Sequence, residues 1–395
     1  MEKPSASRRS VLGLLGAAPV AIAAGPARAS TGAGERGGVP RDLRPGGEYD
    51  RFVAERAAAD EFSGTVLLAH RGKTVLQRAH GMADKDKKLP NRTDTLFLIG
   101  SITKCFTATA VLQLLQRRKV ALHEPLGTYL DGFPAEAAAA TVHQLLTHTS
   151  GVGRSPIRNG PPGEEELSWD TVEEVWEGNL AIIRALPPQF TPGTQYRYSN
   201  DGYIVLGAIV AAVSGMTYYD YVREHVFKPA GMTRTAFYTR PEVLAADDMA
   251  HSYTIHRQTG ERYDFTKSRE FQFVGTPAGS AFSTAGELLK FVTALREDGK
   301  LLRRAFAELG TGAKTVVPPE EGQDPLLMCS HYGYGFASHI FDFQRLFGHT
   351  GGGFGISTSW NRYPDLDWVS VILGNYDRQS TKPVLALERR LITAR

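Results

Sequence analysis

Cysteine is scarce in this chain: Cys105 and Cys329 are the two copies among 395 residues. Two thiols cannot make a disulfide framework, and no Cys/His spacing suits a structural zinc site. Cys105 lies in an apolar run and reads as a small buried hydrophobe. No His-Glu-x-x-His occurs, and neither His143 nor His148 has an acidic neighbour to complete a ligand set, so no metal and no organic cofactor is expected. A strong charge of either sign is missing as well. Lys and Arg number 45 against 42 Asp and Glu, a formal net charge of +3, and no basic cluster interleaves with aromatics, which excludes a nucleic-acid partner. There is no Gly-x-Ser-x-Gly, hence no sharp strand-to-helix nucleophile elbow. Repeats and low-complexity tracts are lacking too. What remains is an ordinary globular composition, 42% hydrophobic and 22% charged, long enough for two domains or one large elaborated one.

Residues 1–29 have a charged start, an apolar core from Val11 to Ala24 and a small-residue exit at Ala27-Arg28-Ala29. Ser7-Arg8-Arg9-Ser10-Val11-Leu12 resembles a twin-arginine export signal. The core is too short and too rich in Gly and Ala to span a bilayer, and no cysteine follows the exit for lipidation. A secreted protein without stable membrane insertion is expected. Residues 30–47, rich in Gly, Pro and Arg, read as a flexible leader.

The folded part is then expected over 48–395. An amphipathic helix over 49–59 precedes a hairpin, 65–69 and 74–79, around Arg71-Gly72-Lys73. The middle of the chain reads as helical: 101–115, a short helix at 141–146, a helix within 169–186, 202–213 stopped by Gly215, and 218–227 ending before Pro229. After a helix at 285–295, strands dominate at 332–336, 339–343, 354–360 and 368–373, and a helix at 384–393 closes the chain. Strands at both ends with helices between predict an α/β (α+β) protein. Its antiparallel sheet would come from residues 48–100 and 275–395, flanked by helices, with a mainly helical region over 101–274.

Chemistry enters at Ser101 and Lys104. Ser-x-x-Lys by itself arises about once by chance in a chain of this length, so its surroundings must give it weight. Gly100 permits a tight bend, Ser101 suits an N-cap, and Lys104 then lies one turn on, on the same face. Residues 106–115 are apolar on nearly every side, as in a central buried helix. Burial there disfavours the ammonium form, which turns a lysine into a usable base. Tyr198-Ser199-Asn200 falls in a turn before a helix; its phenol can move the serine proton and its amide can hold a substrate amide. Gly348-His349-Thr350-Gly351-Gly352-Gly353 puts glycines in a strand, where a backbone must approach a ligand and an N–H can serve an oxyanion. Phe271, Phe273, Phe336 and Phe354 are divided between an acyl pocket and the core.

These three motifs in this order resemble the penicillin-recognising serine hydrolases, the family of class C β-lactamases, DD-carboxypeptidases, D-aminopeptidases and related esterases and acyltransferases. Phe62-Ser-Gly-Thr-Val-Leu67, Leu145-Leu-Thr-His-Thr-Ser-Gly151, and Pro277-Ala-Gly279 with Ser283-Thr284 are similar to further family stretches, so the resemblance spans nearly all of 48–395. It implies a β-lactamase/transpeptidase-like fold. It also implies that Ser101 is the acylated nucleophile and that Lys104 and Tyr198 share the acid/base work. Asn200, His349, Thr350 and Gly351 would bind substrate, and the backbone N–H groups of Ser101 and Gly352 would hold the oxyanion. His349 stands where classical β-lactamases have a lysine, and matches the histidine form of some DD-peptidases, which speaks against efficient antibiotic hydrolysis. The expected activity is hydrolysis of an amide or ester in a small molecule or peptide. Acyl transfer to an amine or alcohol, β-lactam hydrolysis, and a non-catalytic penicillin-binding sensor are the alternatives.

Overall fold

The eight strands of the main sheet come from both ends of the chain. In the computed structural model, which describes residues 38–154, 164–319, 322–377 and 379–394, strand β1 (Gly64–His70) turns at Arg71-Gly72 into β2 (Lys73–His80). The remaining strands are β3 (Thr315–Val316), β4 (Leu327–Tyr332), β5 (Ala337–Phe341), β6 (Gln344–Gly353), β7 (Ile356–Tyr363) and β8 (Trp368–Gly374). Their order is β2-β1-β8-β7-β6-β5-β4-β3, antiparallel throughout. The joint between the two chain ends is β1 on β8, in register from Gly64 opposite Gly374 to His70 opposite Trp368.

Side chains alternate across that joint as a pleated strand requires. Val66, Leu68 and Ile372 enter one core, while Leu67, Ala69, Val371 and Leu373 enter the other. The helices used below are α1 (Glu48–Ala58), α2 (Thr103–Gln116), α3 (Val142–Leu146), α4 (Val172–Arg184), α5 (Asn200–Ser214), α6 (Ala285–Arg296) and α7 (Lys382–Thr393). Tyr49 and Val53 of α1 pack with Val384 and Ile392 of α7 on the first face. The larger core holds α2, α5 and α6 against the second.

The expected export signal, and the leader as far as residue 37, lie outside the described residues. The end of that leader is not flexible chain: residues 41–43 form a 3-10 turn whose Leu43 is fully buried in the cluster of Tyr49 and Val53, and the compact unit runs from Val39. Two apolar side chains in a Gly/Pro/Arg-rich stretch, Leu43 and the partly buried Val39, dock it on that cluster. Two strand expectations shift by a few residues. β4 ends at Tyr332, where the alternating Tyr-Gly-Tyr-Gly-Phe becomes a loop, and β5 stops before a turn at Asp342-Phe343, both with positive φ. The helix expected to end before Pro229 continues through a π turn at Arg223–Phe227 to Ala230, since a proline at the start of a new helical segment loses no hydrogen bond.

Helix α2 is the buried axis. Every residue from Thr103 to Leu114 is buried, and most of its polar atoms find partners inside, Gln113 Oε1 being left without one among the described residues. Thr107 Oγ1 donates to Pro277 O at 2.6 Å, Thr109 Oγ1 to Cys105 O at 2.7 Å, and the Gln113 amide to His225 O and Leu301 O.

Candidate active site

The chain reaches the site through Phe97–Leu98, a short strand paired with Phe282–Ser283. It then bends at Gly100 (φ 52°) into a 3-10 turn, Gly100–Ile102, before α2 begins at Thr103. Ser101 therefore does not cap the helix: the N-cap position is Ile102, without a side-chain capping bond. The serine hydroxyl turns to Lys104 instead. Thr103 braces the bend, its Oγ1 donating to Gly100 O at 2.8 Å and accepting the Ala281 N–H at 3.1 Å.

Lys104 is fully buried. Its Nζ lies 2.6 Å from Ala278 O, 2.7 Å from Asn200 Oδ1 and 3.2 Å from Ser101 Oγ. The Tyr198 ring is 4.8 Å and the Tyr203 ring 5.5 Å from the same nitrogen. Burial pushes the ammonium down to about 7. The two carbonyl-type acceptors can take only N–H donors, so in the neutral amine they consume both hydrogens and leave the lone pair for the Ser101 hydroxyl.

Asn200 is the first residue of α5 rather than part of the preceding loop. Ser199 is the N-cap: its Oγ accepts the Gly202 N–H at 3.0 Å and donates to Val152 O at 3.0 Å. Asp201 follows, and grips Arg154 through three hydrogen bonds, backbone N–H to Oδ2 at 2.6 Å, Nε to Oδ2 at 3.0 Å and Nη2 to Oδ1 at 2.9 Å. Asn179 of α4 takes a further Arg154 bond at 3.1 Å. This network fixes the N-terminal end of α5, and so the Asn200 amide, and it neutralises Arg154 within the wall.

Strand β6 supplies the opposite wall. β5 pairs with it only as far as Gly348, so residues 349–353 have no strand neighbour on that side. At Gly351 a Cβ would lie 2.1 Å from Ile99 O and 2.4 Å from Thr358 Oγ1, which explains the glycine: the strand presses on the turn that carries Ser101. Gly352 sits beside Gly100 and lines the cleft. Thr350 is exposed. His349 is buried and turns away from the cleft: its Nδ1–H donates to Thr350 O at 2.6 Å and its Nε2 accepts the Tyr332 O–H at 2.9 Å. Burial pushes its imidazolium down to about 3, so it stays neutral. His349 and Gly351 thus stand behind the wall and shape it, while Ser101, Asn200 and Gly352 face the open space.

That space is a cleft of about 270 Å³, whose apolar lining includes Ile204, Phe271, Phe273 and Ile356. Of the four phenylalanines singled out in the sequence, Phe271 and Phe273 face it, Phe336 is in the core against Trp360, and Phe354 packs on Phe265. Arg240 and Arg269 also line it, and neither has a carboxylate partner among the described residues. Sequence reasoning missed Arg154, these two arginines, Tyr332 and the Ala278 carbonyl. The last left a trace only as the Pro277-Ala-Gly279 stretch, since a backbone acceptor has no residue signature. Of the two histidines weighed as metal ligands, His143 bonds the Tyr334 hydroxyl at 2.8 Å and His148 accepts the Ser199 N–H. Among the described residues no three His, Cys, Asp or Glu side chains gather as a metal would need.

The chain is 28% identical over 330 residues to a penicillin-binding protein of Bacillus subtilis, covering 81% of this chain and 69% of that one. It is 28% identical over 324 residues to esterase EstB of Burkholderia gladioli, covering 74% and 78%. A penicillin-binding protein of Bacillus halodurans has a solved structure that superposes with a TM-score of 0.71 at 27% identity, over 85% of this chain and 98% of that one. The family model described as Beta-lactamase matches residues 49–394. With a match that runs across almost all of the described fold, the chain belongs to the beta-lactamase family.

Proposed function

We propose that this protein is a serine hydrolase that cleaves an ester or amide of a small molecule or peptide through an acyl-enzyme at Ser101. The observation that carries the reading is the buried Lys104 amine, its two hydrogens held by Asn200 and Ala278 and its lone pair poised on Ser101 Oγ. As Oγ attacks the substrate carbonyl carbon, its proton passes to the neutral amine. The oxyanion meets the N–H groups of Ser101 and Gly352, which the pressure of β6 on the turn keeps close together. Collapse of the tetrahedral intermediate expels the alcohol or amine, protonated from Lys104 or through the Tyr198 phenol. Water then attacks the acyl ester by the same route in reverse.

The likeness to a penicillin-binding protein and to an esterase supports acyl-enzyme chemistry of this kind. Arg240 and Arg269 in the cleft favour a substrate that also carries a carboxylate, as a peptide with a free end does. The neutral, inward-turned His349 offers no cation where a lysine would stand, which weighs against β-lactam turnover. The test is a panel of esters and D-amino-acid peptides, with and without a free carboxylate, assayed with and without an added amine, and followed by mass spectrometry of the trapped enzyme. An acyl adduct on Ser101, lost in Ser101→Ala, is the expected result. Full activity of that variant, or an adduct elsewhere, overturns the reading, and product carrying the added amine reassigns it to acyl transfer.

A further inference from the structure

His148 lies outside the cleft and the mechanism above makes no use of it, yet it grips the chain on both sides of Tyr198. Its carbonyl accepts the Arg197 N–H at 2.9 Å and its ring Nδ1 accepts the Ser199 N–H at 3.1 Å. The ring packs against Tyr198, centroids 4.3 Å apart, and against Tyr332 at 4.5 Å. To do this the residue adopts φ 59°, the left-handed region that few non-glycine residues enter.

We propose that His148 is a positioning residue for the Tyr198 phenol, acting through the hydrogen bond that its Nδ1 accepts from the backbone of Ser199. The proposal rests on the acyl-enzyme reading of the site. Accepting at Nδ1 fixes the neutral tautomer with its hydrogen on Nε2, and that Nε2 is buried with no hydrogen-bond partner among the described residues. An unsatisfied buried donor is a cost that a phenylalanine of the same shape would avoid. Packing alone therefore does not account for an imidazole here, whereas the acceptor on its other side does. Burial, with the charge of Lys104 nearby, holds the ring well below its ordinary protonation range and keeps that acceptor available. Tyr198 in turn stands 4.8 Å over Lys104 Nζ, where a displacement of about 1 Å can reduce a rate by as much as 100-fold.

Two variants separate the acceptor from the ring. His148→Asn keeps an acceptor at the Nδ1 position and tolerates positive φ, whereas His148→Phe keeps the ring and loses the acceptor. On an ester that acylates Ser101, H148N is expected to stay within about threefold of the parent in kcat, and H148F to lose about ten- to 100-fold with KM little changed. In a Tyr198→Phe background the H148F loss should vanish. The proposal is overturned if H148F matches or exceeds H148N, or if H148F costs the same factor with and without the Tyr198 hydroxyl. Full activity of Y198F alone removes the part given to Tyr198 and the proposal with it, a result distinct from additivity. Should H148F fail to fold, His148→Gln, whose amide reaches the Nε2 position instead, makes the same comparison.

Discussion

A lysine held at about 7 is half neutral near physiological pH, and in this site only the neutral form can take a proton from Ser101. The pH dependence of acylation follows with a definite sign: the rate should rise as pH increases through about 7 and level off above it. Single-turnover acylation of Ser101 between pH 5.5 and 9 measures this, and a profile that is flat or falls over that span contradicts the assignment of Lys104 as base. Lys104→Met should remove the rising limb together with at least about 100-fold of the rate, the usual weight of a general base. His349 does not blur the profile, because it is neutral throughout that range. The serine–lysine pair was legible in the sequence because three residues on one helical turn is a local relation. The direction His349 takes was not, because its motif says nothing of the tyrosine seventeen positions earlier that its ring engages. Nor was the Ala278 carbonyl, which reaches Lys104 across 174 positions.

The contact that matters most between elements is β6 against the turn before α2. Gly351 has no room for a side chain, and the obstacles are the Ile99 carbonyl and a buried threonine rather than a flexible tip. Gly351→Ala should therefore cost about 1–3 kcal/mol, as overpacked sites do, and should lower kcat by drawing the Gly352 N–H away from Ser101. Gly353→Ala is the control, since its Cβ would meet only the end of Ile356, at 3.1 Å. Chemical denaturation and burst kinetics on the two variants check this, and equal behaviour would show that the strand is not the limiting wall. Some helix ends were well marked in the sequence, as at Thr141 with Gln144, Thr284 with Glu287, and Gly215 in its left-handed conformation, whereas the Ser199 cap of α5 was not. Strand ends were not, because Tyr-Gly-Tyr-Gly-Phe has the alternation of a strand while its glycines serve a loop.

At the scale of the whole molecule the sheet is only as secure as its outer cover, and that cover contains an acid. Glu388 of α7 is fully buried, its Oε1 accepting the Tyr363 O–H at 2.8 Å, and its other oxygen has no hydrogen-bond partner among the described residues. Burial pushes it up to about 7, from an ordinary 4.5. The folded state thus keeps a proton that the unfolded chain has already released, so stability falls as pH rises from about 4.5 to 7. The gap corresponds to roughly 3 kcal/mol. Glu388→Gln should leave the melting temperature near pH 4.5 unchanged and raise it by several degrees at pH 8.5, read by calorimetry. A parent and variant that melt alike at both values would refute the buried acid as a source of pH sensitivity.

The pairing of β1 with β8 also sets an order of events during synthesis. The segment that becomes β1 emerges from the ribosome long before the one that becomes its neighbour, and non-local strand pairing is slow to form even in a complete chain. β6, which backs the Ser101 turn, is made almost as late. A nascent or prematurely terminated chain can therefore contain both Ser101 and Lys104 and still lack the opposite wall. On the proposed reading of the site, reactivity toward acyl donors waits for the synthesis of β6, a form of latency that requires no inhibitor and no cleavage.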